Sequence, residues 1–208
     1  MFKTYTMDKD IRHDSLGRYI GVYGEEIDFS VEAAIYTNVR TVKDFPKAGI
    51  NFFDVSTLYA KHDVLNAMIE EIVSLHKGKH VTKVIGLEAR GFVLLGAVAD
   101  ALHAGAVMAR KPDKLPLVGA TSTYEKEYGV DEISLPANTI VEGDTVLIHD
   151  DILATGGTAK AAIQLAKDAG AKTILFNCII EIVSEGLEGR KAISEAYPDV
   201  VITSLIKL

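Results

Sequence analysis

The pattern of hydrophobic and polar positions predicts strands that alternate with helices over most of the chain. Short apolar runs, which are typical of buried strands, cover residues 83–87, 106–109, 145–148, 173–176 and 200–202. Apolar residues at helical spacing predict helices at residues 64–75, 91–102 and 158–169. Near-continuous apolar strands separated by helices indicate an α/β fold, with a mostly parallel twisted sheet and helices on both of its faces.

Two segments do not fit this alternation. Residues 1–43 are polar and weakly periodic, and we expect an arm that packs on a domain formed by residues 44–208. Residues 111–138 are polar and rich in turn formers, and a connection of this length is usually a functional lid. In a parallel sheet the ligand binds beyond the carboxyl ends of the strands, so the loops after Leu87, Ala109 and Ile148 are the predicted place of function.

Composition and charge narrow the class of protein. The 208 residues include 22 Lys and Arg against 29 Asp and Glu, a formal net charge of -7, which argues against a nucleic-acid binder. No apolar run approaches the roughly 18 residues that cross a bilayer. The first residues lack the apolar core of a secretory signal, so we expect a cytoplasmic protein that does not bind membranes. The single cysteine, Cys178, lies in an apolar run and is predicted to be a buried thiol.

The strongest chemical signal is the segment VLIHDDILATGGT, at residues 146–158. An apolar strand leads into the paired carboxylates Asp150 and Asp151, which are followed by a loop of small residues and a helix. The glycines let the loop approach a ligand closely, and the free amides at the start of a helix favour a phosphate. Paired carboxylates suit the hydroxyls of a polyol, or hydroxyls shared with magnesium. Together these features indicate a sugar phosphate.

This segment resembles the phosphoribosyl-diphosphate (PRPP) motif of the type I phosphoribosyltransferases. The resemblance implies that Asp150 and Asp151 hold the ribose hydroxyls and take part in catalysis. It also implies that the 5-phosphate of PRPP is bound by Ala154, Thr155, Gly156, Gly157 and Thr158. His149 stands where the family has an apolar residue, and we expect a packed histidine there rather than a pocket-wall residue.

A second segment, GLEARGF at residues 86–92, again joins a strand end to a helix start. Arg90 offers a rigid guanidinium group for a phosphate or pyrophosphate. In combination with the first motif, this turn resembles the pyrophosphate loop of the adenine-type phosphoribosyltransferases. We expect Glu88 to be a solvated turn carboxylate.

The predicted lid opens with RKPDKLP at residues 110–116 and contains YEKEYG at residues 124–129. Cations beside anion sites can neutralise a leaving pyrophosphate as a lid closes. Both pieces resemble the adenine-type enzymes, and the PRPP-binding residues that this implies are Arg110, Lys111, Lys114 and Tyr128. By the same resemblance Glu127 is the candidate for proton transfer at the base, against the alternative of an ordinary surface glutamate.

The segment FPKAGINFFDVS, at residues 45–56, is similar to the base-pocket segment of the family but departs from it. The implied base-binding residues are Asn51, Phe52 and Ile152, with the ring of Phe52 stacked on the base. Asn51 replaces an apolar residue, and Phe53 replaces an arginine. Adenine could be bound through the backbone at Asn51, whereas a side-chain amide on the base would favour a 6-oxopurine.

Near the carboxyl terminus the stretch LEGR, at residues 187–190, matches the family, but Val183 and Ser184 stand where a Glu-Leu pair usually precedes it. We group this departure with those around the nucleobase, which leave the choice of purine open and the reaction class unchanged.

The resemblance implies the type I phosphoribosyltransferase fold, with a hood region and a flexible lid loop. It implies a purine salvage enzyme that transfers the phosphoribosyl group from PRPP to adenine, giving AMP and pyrophosphate. Mg²⁺ is the expected cofactor, held mainly through PRPP rather than by metal-ligating side chains, and a homodimer is the expected assembly. The alternatives are the same reaction with hypoxanthine, guanine or xanthine, and a PRPP-sensing regulator without catalysis. Such a regulator needs a basic extension, whereas carboxylates outnumber Lys and Arg in residues 1–40.

Overall fold

The computed structural model describes residues 11–13, 19–21, 30–126, 129–184 and 186–208. The chain forms two compact units, residues 1–65 and residues 66–208. The predicted arm lies partly outside the described residues, and its boundary after residue 43 stays a prediction. Among the described residues, no helix is long and apolar enough to cross a membrane.

The first unit contains short elements. Its strands are β1 (Ile11–His13), β2 (Tyr19–Gly21), β3 (Arg40–Lys43) and β4 (Asn51–Asp54), and its helices are α1 (Val31–Asn38) and α2 (Ser56–Tyr59). Strands β1 and β2 pair with each other antiparallel, as do β3 and β4. Ser30 caps α1, since its hydroxyl accepts a hydrogen bond from the N–H of Ala33 at 3.2 Å. Helix α3 (His62–His76) begins in this unit and continues into the second.

The second unit is built on a five-stranded parallel sheet. Its strands are β5 (Lys83–Leu87), β6 (Gly105–Ala109), β9 (Thr145–Leu153), β10 (Thr173–Glu181) and β11 (Val201–Lys207), in the order β11-β10-β9-β5-β6. Its remaining helices are α4 (Phe92–Ala101), α5 (Gly157–Asp168) and α6 (Gly189–Ala196). The α/β fold predicted from the apolar runs is confirmed.

The core of this unit lies between the sheet and α5. Ile85, Ile148 and Phe176 are fully buried there, together with the small residues Ala162 and Ala166 of α5. Because alanine side chains are short, the helix can lie close to the sheet. This packing fixes the start of α5 against the carboxyl end of β9.

Two strands are longer than their apolar runs predicted. Strand β9 extends through Leu153, and β10 extends through Glu181. The extension is stabilised by parallel pairing in which Asp150 lies opposite Cys178 and Ile152 lies opposite Ile180. The predicted end of β9 at residue 148 is therefore wrong, because polar residues at 149–151 are held inside the strand by its partner.

The predicted lid is a hairpin rather than an irregular loop. After a 3₁₀ turn at Pro112–Lys114, strand β7 (Val118–Lys126) pairs antiparallel with β8 (Gly129–Pro136). Ile133 and Leu135 are buried in the core cluster, which anchors the base of the hairpin. The sequence did not predict these two strands, because the segment is rich in turn formers. Their apolar side faces the core.

Candidate active site

The paired carboxylates lie in β9, just beyond the point where the neighbouring strand β5 stops pairing with it. Strand β5 pairs with β9 from Lys83 to Gly86, and Gly86 lies opposite His149. Beyond that pair the chain enters the turn that contains Arg90, while β9 continues to Asp150 and Asp151. The Asp151 side chain is buried, and its backbone N–H donates to Oδ1 of Asp150 at 2.9 Å. Both carboxylates therefore adjoin the predicted pyrophosphate loop.

Burial and the repulsion between neighbouring carboxylates change the pKa values of Asp150 and Asp151. Burial, followed by the nearby charge of Asp151, raises the pKa of Asp150 well above its usual range. Burial also raises the pKa of Asp151, although the Arg90 guanidinium opposes the shift. Nε of Arg90 lies 2.8 Å from Oδ2 of Asp151. The two strongest sequence motifs thus meet in one ion pair.

The small-residue loop forms a cradle at the start of α5. Gly156 has a φ of +81°, a conformation that favours glycine, and α5 begins at the next residue. No side chain caps this helix start. The first amides of a helix have no partner inside it, and they carry the positive end of the helix dipole. Ala154, Thr155, Gly157 and Thr158 are at least partly exposed around this point, so the loop can bind an anion.

The turn after β5 lies close against the backbone of β9. A Cβ on Gly91 would lie 2.7 Å from the carbonyl oxygen of His149 and 2.7 Å from the backbone nitrogen of Leu87. Real side chains do not tolerate such distances to backbone atoms, so glycine is required at this position. The close approach holds the Arg90 turn beside the carboxylates.

Glu88 has a role that the sequence did not predict. Its carboxylate accepts hydrogen bonds from Nζ of Lys114 at 2.8 Å and from the backbone N–H of Lys111 at 3.0 Å. Nε of Arg110 lies 3.4 Å from the same carboxylate. Burial acts to raise the pKa of Glu88, but the hydrogen bonds from Lys114, Lys111 and Arg110 outweigh it and lower the pKa to about 2.

The expectation of a solvated carboxylate at Glu88 is therefore wrong, since its side chain is only 12% exposed. Two features of the sequence could have predicted this burial. Glu88 is a lone acid directly after a strand end, and the cation-rich run RKPDK lies in a loop expected at the same edge of the sheet, where an ion pair could form. The structure thus brings the charged groups of Arg110 and Lys114 and the backbone N–H of Lys111 together around one carboxylate.

His149 is a packed histidine, as predicted. It is fully buried, and its Nδ1 donates to Oδ1 of Asn177 at 3.0 Å, while Nδ2 of Asn177 donates to Oγ1 of Thr203 at 2.9 Å. Burial lowers the pKa of His149 to about 4, so the ring is neutral at pH 7. Cys178 is buried as well, and burial raises the pKa of its thiol.

The other predicted site residues are placed as follows. Asn51 and Phe52 lie in β4 of the first unit, where the ring of Phe52 meets that of Phe45 edge-to-face at a centroid distance of 5.1 Å. Ile152 lies in β9 of the second unit. Glu127 and Tyr128 lie outside the described residues. The described part of the chain contains no cluster of three or more acidic, histidine or cysteine side chains suited to a metal ion.

A second contact not predicted from sequence supports the phosphate loop from behind. A Cβ on Gly189 would lie 2.4 Å from the carbonyl oxygen of Ala154, and one on Gly156 would lie 2.9 Å from the carbonyl oxygen of Gly189. The LEGR stretch, which matches the family, therefore touches the loop expected to bind the 5-phosphate.

Comparisons with known proteins agree with this geometry. The family model described as a phosphoribosyl transferase domain matches residues 54–205. An adenine phosphoribosyltransferase of Phocaeicola vulgatus is 47% identical over 171 residues, which cover 82% of this chain and 95% of the relative. The structure of the APRTase from Giardia lamblia complexed with 9-deazaadenine is similar with a TM-score of 0.80 and 38% identity, covering 86% of this chain and 98% of that one. The adenine phosphoribosyltransferase from Rhodothermus marinus gives a TM-score of 0.78 at 38% identity, with the same two coverages.

Proposed function

Because this chain belongs to the phosphoribosyltransferase family, among the adenine phosphoribosyltransferases, we propose that it transfers the phosphoribosyl group of PRPP to adenine. The products are AMP and pyrophosphate, and the reaction is a step of purine salvage. The observation that carries the proposal is the ion pair between Arg90 and the buried Asp151, which joins the carboxylate pair to a pyrophosphate-type turn beside a phosphate-type loop.

The reaction is a displacement at the anomeric carbon of the ribose. The bond from that carbon to the pyrophosphate oxygen breaks, a bond to the purine nitrogen forms, and that nitrogen loses its proton. Such centres pass through oxocarbenium-like transition states, so the protein need not supply a nucleophile. Asp150 and Asp151 accept hydrogen bonds from the ribose hydroxyls and stabilise the developing positive charge. The loop from Ala154 to Thr158 binds the 5-phosphate through its amides and hydroxyls.

The leaving pyrophosphate is stabilised by Arg90 and by the cations of the lid entry, Arg110, Lys111 and Lys114. The hard carboxylate oxygens of Asp150 and Asp151 suit Mg²⁺, and by the family resemblance the ion would be held mainly through PRPP. When bound with PRPP, Mg²⁺ supplies charge neutralisation for the pyrophosphate. The side chains of this chain orient the substrate around it.

At the base, Glu127 is proposed to receive the proton of the purine imidazole ring, and Tyr128 to contact PRPP as the lid closes. Both assignments rest on their match to the lid motif. Asn51, Phe52 and Ile152 are proposed to bind the base. The homodimer and the cytoplasmic location, which the resemblance and the composition suggest, stay predictions.

The experiment that tests this function is magnesium-dependent release of pyrophosphate from PRPP, with adenine, hypoxanthine, guanine and xanthine supplied separately. Release with adenine alone is expected. Release with a 6-oxopurine instead would keep the chemistry and overturn the choice of base, and it would point to the side chain of Asn51. Binding of PRPP without release for any of the four bases would favour the regulator.

A further inference from the structure

We propose that the ion pair between the buried Glu181 and the half-buried Arg190 positions the loop that binds the 5-phosphate of PRPP. This inference rests on the proposed function and deepens it, because it assigns residues outside the PRPP motif to one end of the substrate. Neither residue lies in the loop itself.

The ion pair is held from several directions. Nε and Nη2 of Arg190 donate to the two carboxylate oxygens of Glu181 at 2.7 and 2.5 Å, while Nη1 donates to the carbonyl oxygen of Ile202 at 2.9 Å. The hydroxyl of Ser204 donates to Oε2 of Glu181 at 2.9 Å. The Glu181 side chain is only 4% exposed. A bidentate pair with these additional partners fixes the guanidinium in both position and orientation.

The fixed guanidinium holds the start of α6 against the phosphate loop. Arg190 is the second residue of α6, and Gly189 before it is buried. There is no room for a Cβ between Gly189 and Ala154, or between Gly156 and Gly189. The backbone of Gly189 therefore contacts the backbone of the loop at two residues, Ala154 and Gly156, and a shift of Gly189 would move the amides expected to face the phosphate.

The position of the pair predicts a selective effect. Glu181 ends β10 and lies opposite Leu153 of β9, one residue before the loop begins. Strand β10 flanks β9 on one side, whereas β5, which leads to Arg90, flanks it on the other. Loss of the pair should thus weaken contacts with the 5-phosphate and leave the pyrophosphate cations in place.

The test compares the affinities of AMP, which carries the 5-phosphate, and of pyrophosphate, which does not, by calorimetric titration. For Arg190→Gln, which leaves Glu181 buried without its partner, we expect the Kd of AMP to rise roughly tenfold or more, with that of pyrophosphate within about twofold of wild type. Arg190→Lys keeps the positive charge but cannot donate two parallel hydrogen bonds to Glu181, so the Kd of AMP should be intermediate. Lys191→Gln is the matched control, because the neighbouring Lys191 pairs with Glu188 at the surface.

Gly189→Ala is a second variant, which leaves the ion pair intact. Its added Cβ would displace the loop at Ala154, so we expect the same selective loss of affinity for AMP. An unchanged Kd for AMP in these variants, or an equal loss for AMP and pyrophosphate that follows the loss of stability, would overturn the inference. A wild-type chain that binds pyrophosphate but not AMP would contradict the proposed function and this inference together.

Discussion

Directly before the two aspartates, a neutral histidine is enclosed in the sheet. The pKa of His149 is lowered to about 4 by burial, whereas an unperturbed histidine titrates near 6.5. Between these two values the unfolded chain binds more protons at this residue than the folded chain does. The stabilisation that depends on a neutral His149 is therefore complete above about pH 6.5 and is lost as the pH falls toward 4.

His149→Gln tests this linkage, because glutamine keeps an N–H donor for Asn177 and does not titrate. From pH 7 to pH 4.5, we expect the wild-type free energy of unfolding in urea to fall by about 2–3 kcal/mol more than that of the variant. The raised pKa values of Asp150 and Asp151 act with the opposite sign, and the comparison between the two proteins cancels them. Equal pH dependence in both proteins would contradict this account, and the exposed His103→Gln should behave as wild type.

The strand, glycine turn and helix start of the proposed PRPP motif could be predicted from sequence because these residues are contiguous in the chain. Glu88 could not, since its contact with Lys114 joins residues 26 positions apart, and a carboxylate in a turn is usually solvated. The close approach of Gly189 to Ala154 was hidden for the same reason. Motifs of contiguous residues can be identified in the sequence, whereas contacts between residues far apart in the chain become visible only in the folded structure.

At the scale of elements, Glu88 joins the turn after β5 to the first residues of the lid through hydrogen bonds. A charge-assisted hydrogen bond contributes about 1.5–3 kcal/mol, and Glu88 accepts one from Lys114. The same carboxylate fixes the backbone of Lys111. Glu88 therefore fixes Lys114 and the backbone of Lys111, two residues that we propose to bind pyrophosphate.

Glu88→Gln keeps the shape of the side chain and removes its charge. We expect the KM for PRPP to rise roughly tenfold with little change in kcat at saturating PRPP, since the cations lose their preorganised positions. Steady-state kinetics at varied PRPP measure this, with the exposed Glu195→Gln as control. A lower KM in the variant would show instead that Glu88 competes with pyrophosphate for the cations.

The elements also show where pattern analysis succeeds. Strand β5 and helices α4 and α5 begin and end within one residue of their predicted bounds, because apolar periodicity and small-residue turns mark them clearly. The lid differs, since the burial of Ile133 and Leu135 in the core could not be read from a polar segment with many turn formers. Strand β9 is longer than predicted because its pairing with β10 holds polar residues in the sheet.

At the scale of the whole molecule, parallel strands bring loops far apart in sequence to one edge of the sheet. The Arg90 turn follows β5, the aspartate pair lies in the carboxyl-terminal half of β9, and the small-residue loop follows β9; the two strands are neighbours. The fold class and the reaction class therefore follow from the order of motifs along the chain. The choice of base does not, because it depends on departures at Asn51 and Phe53 whose effect is decided by contacts with a bound purine.

The most direct test of the account is the rate of AMP formation from adenine and PRPP with magnesium, measured for the wild type, Asp150→Asn and Asp199→Asn. Asp199 is an exposed aspartate paired with Lys167 at 3.3 Å, so its variant controls for loss of a carboxylate. We expect AMP from the wild type and from Asp199→Asn at similar rates, and a kcat roughly 100-fold lower for Asp150→Asn, comparable to loss of one transition-state contact. AMP formation by Asp150→Asn at the wild-type rate would remove the carboxylate pair from the active site and contradict the account.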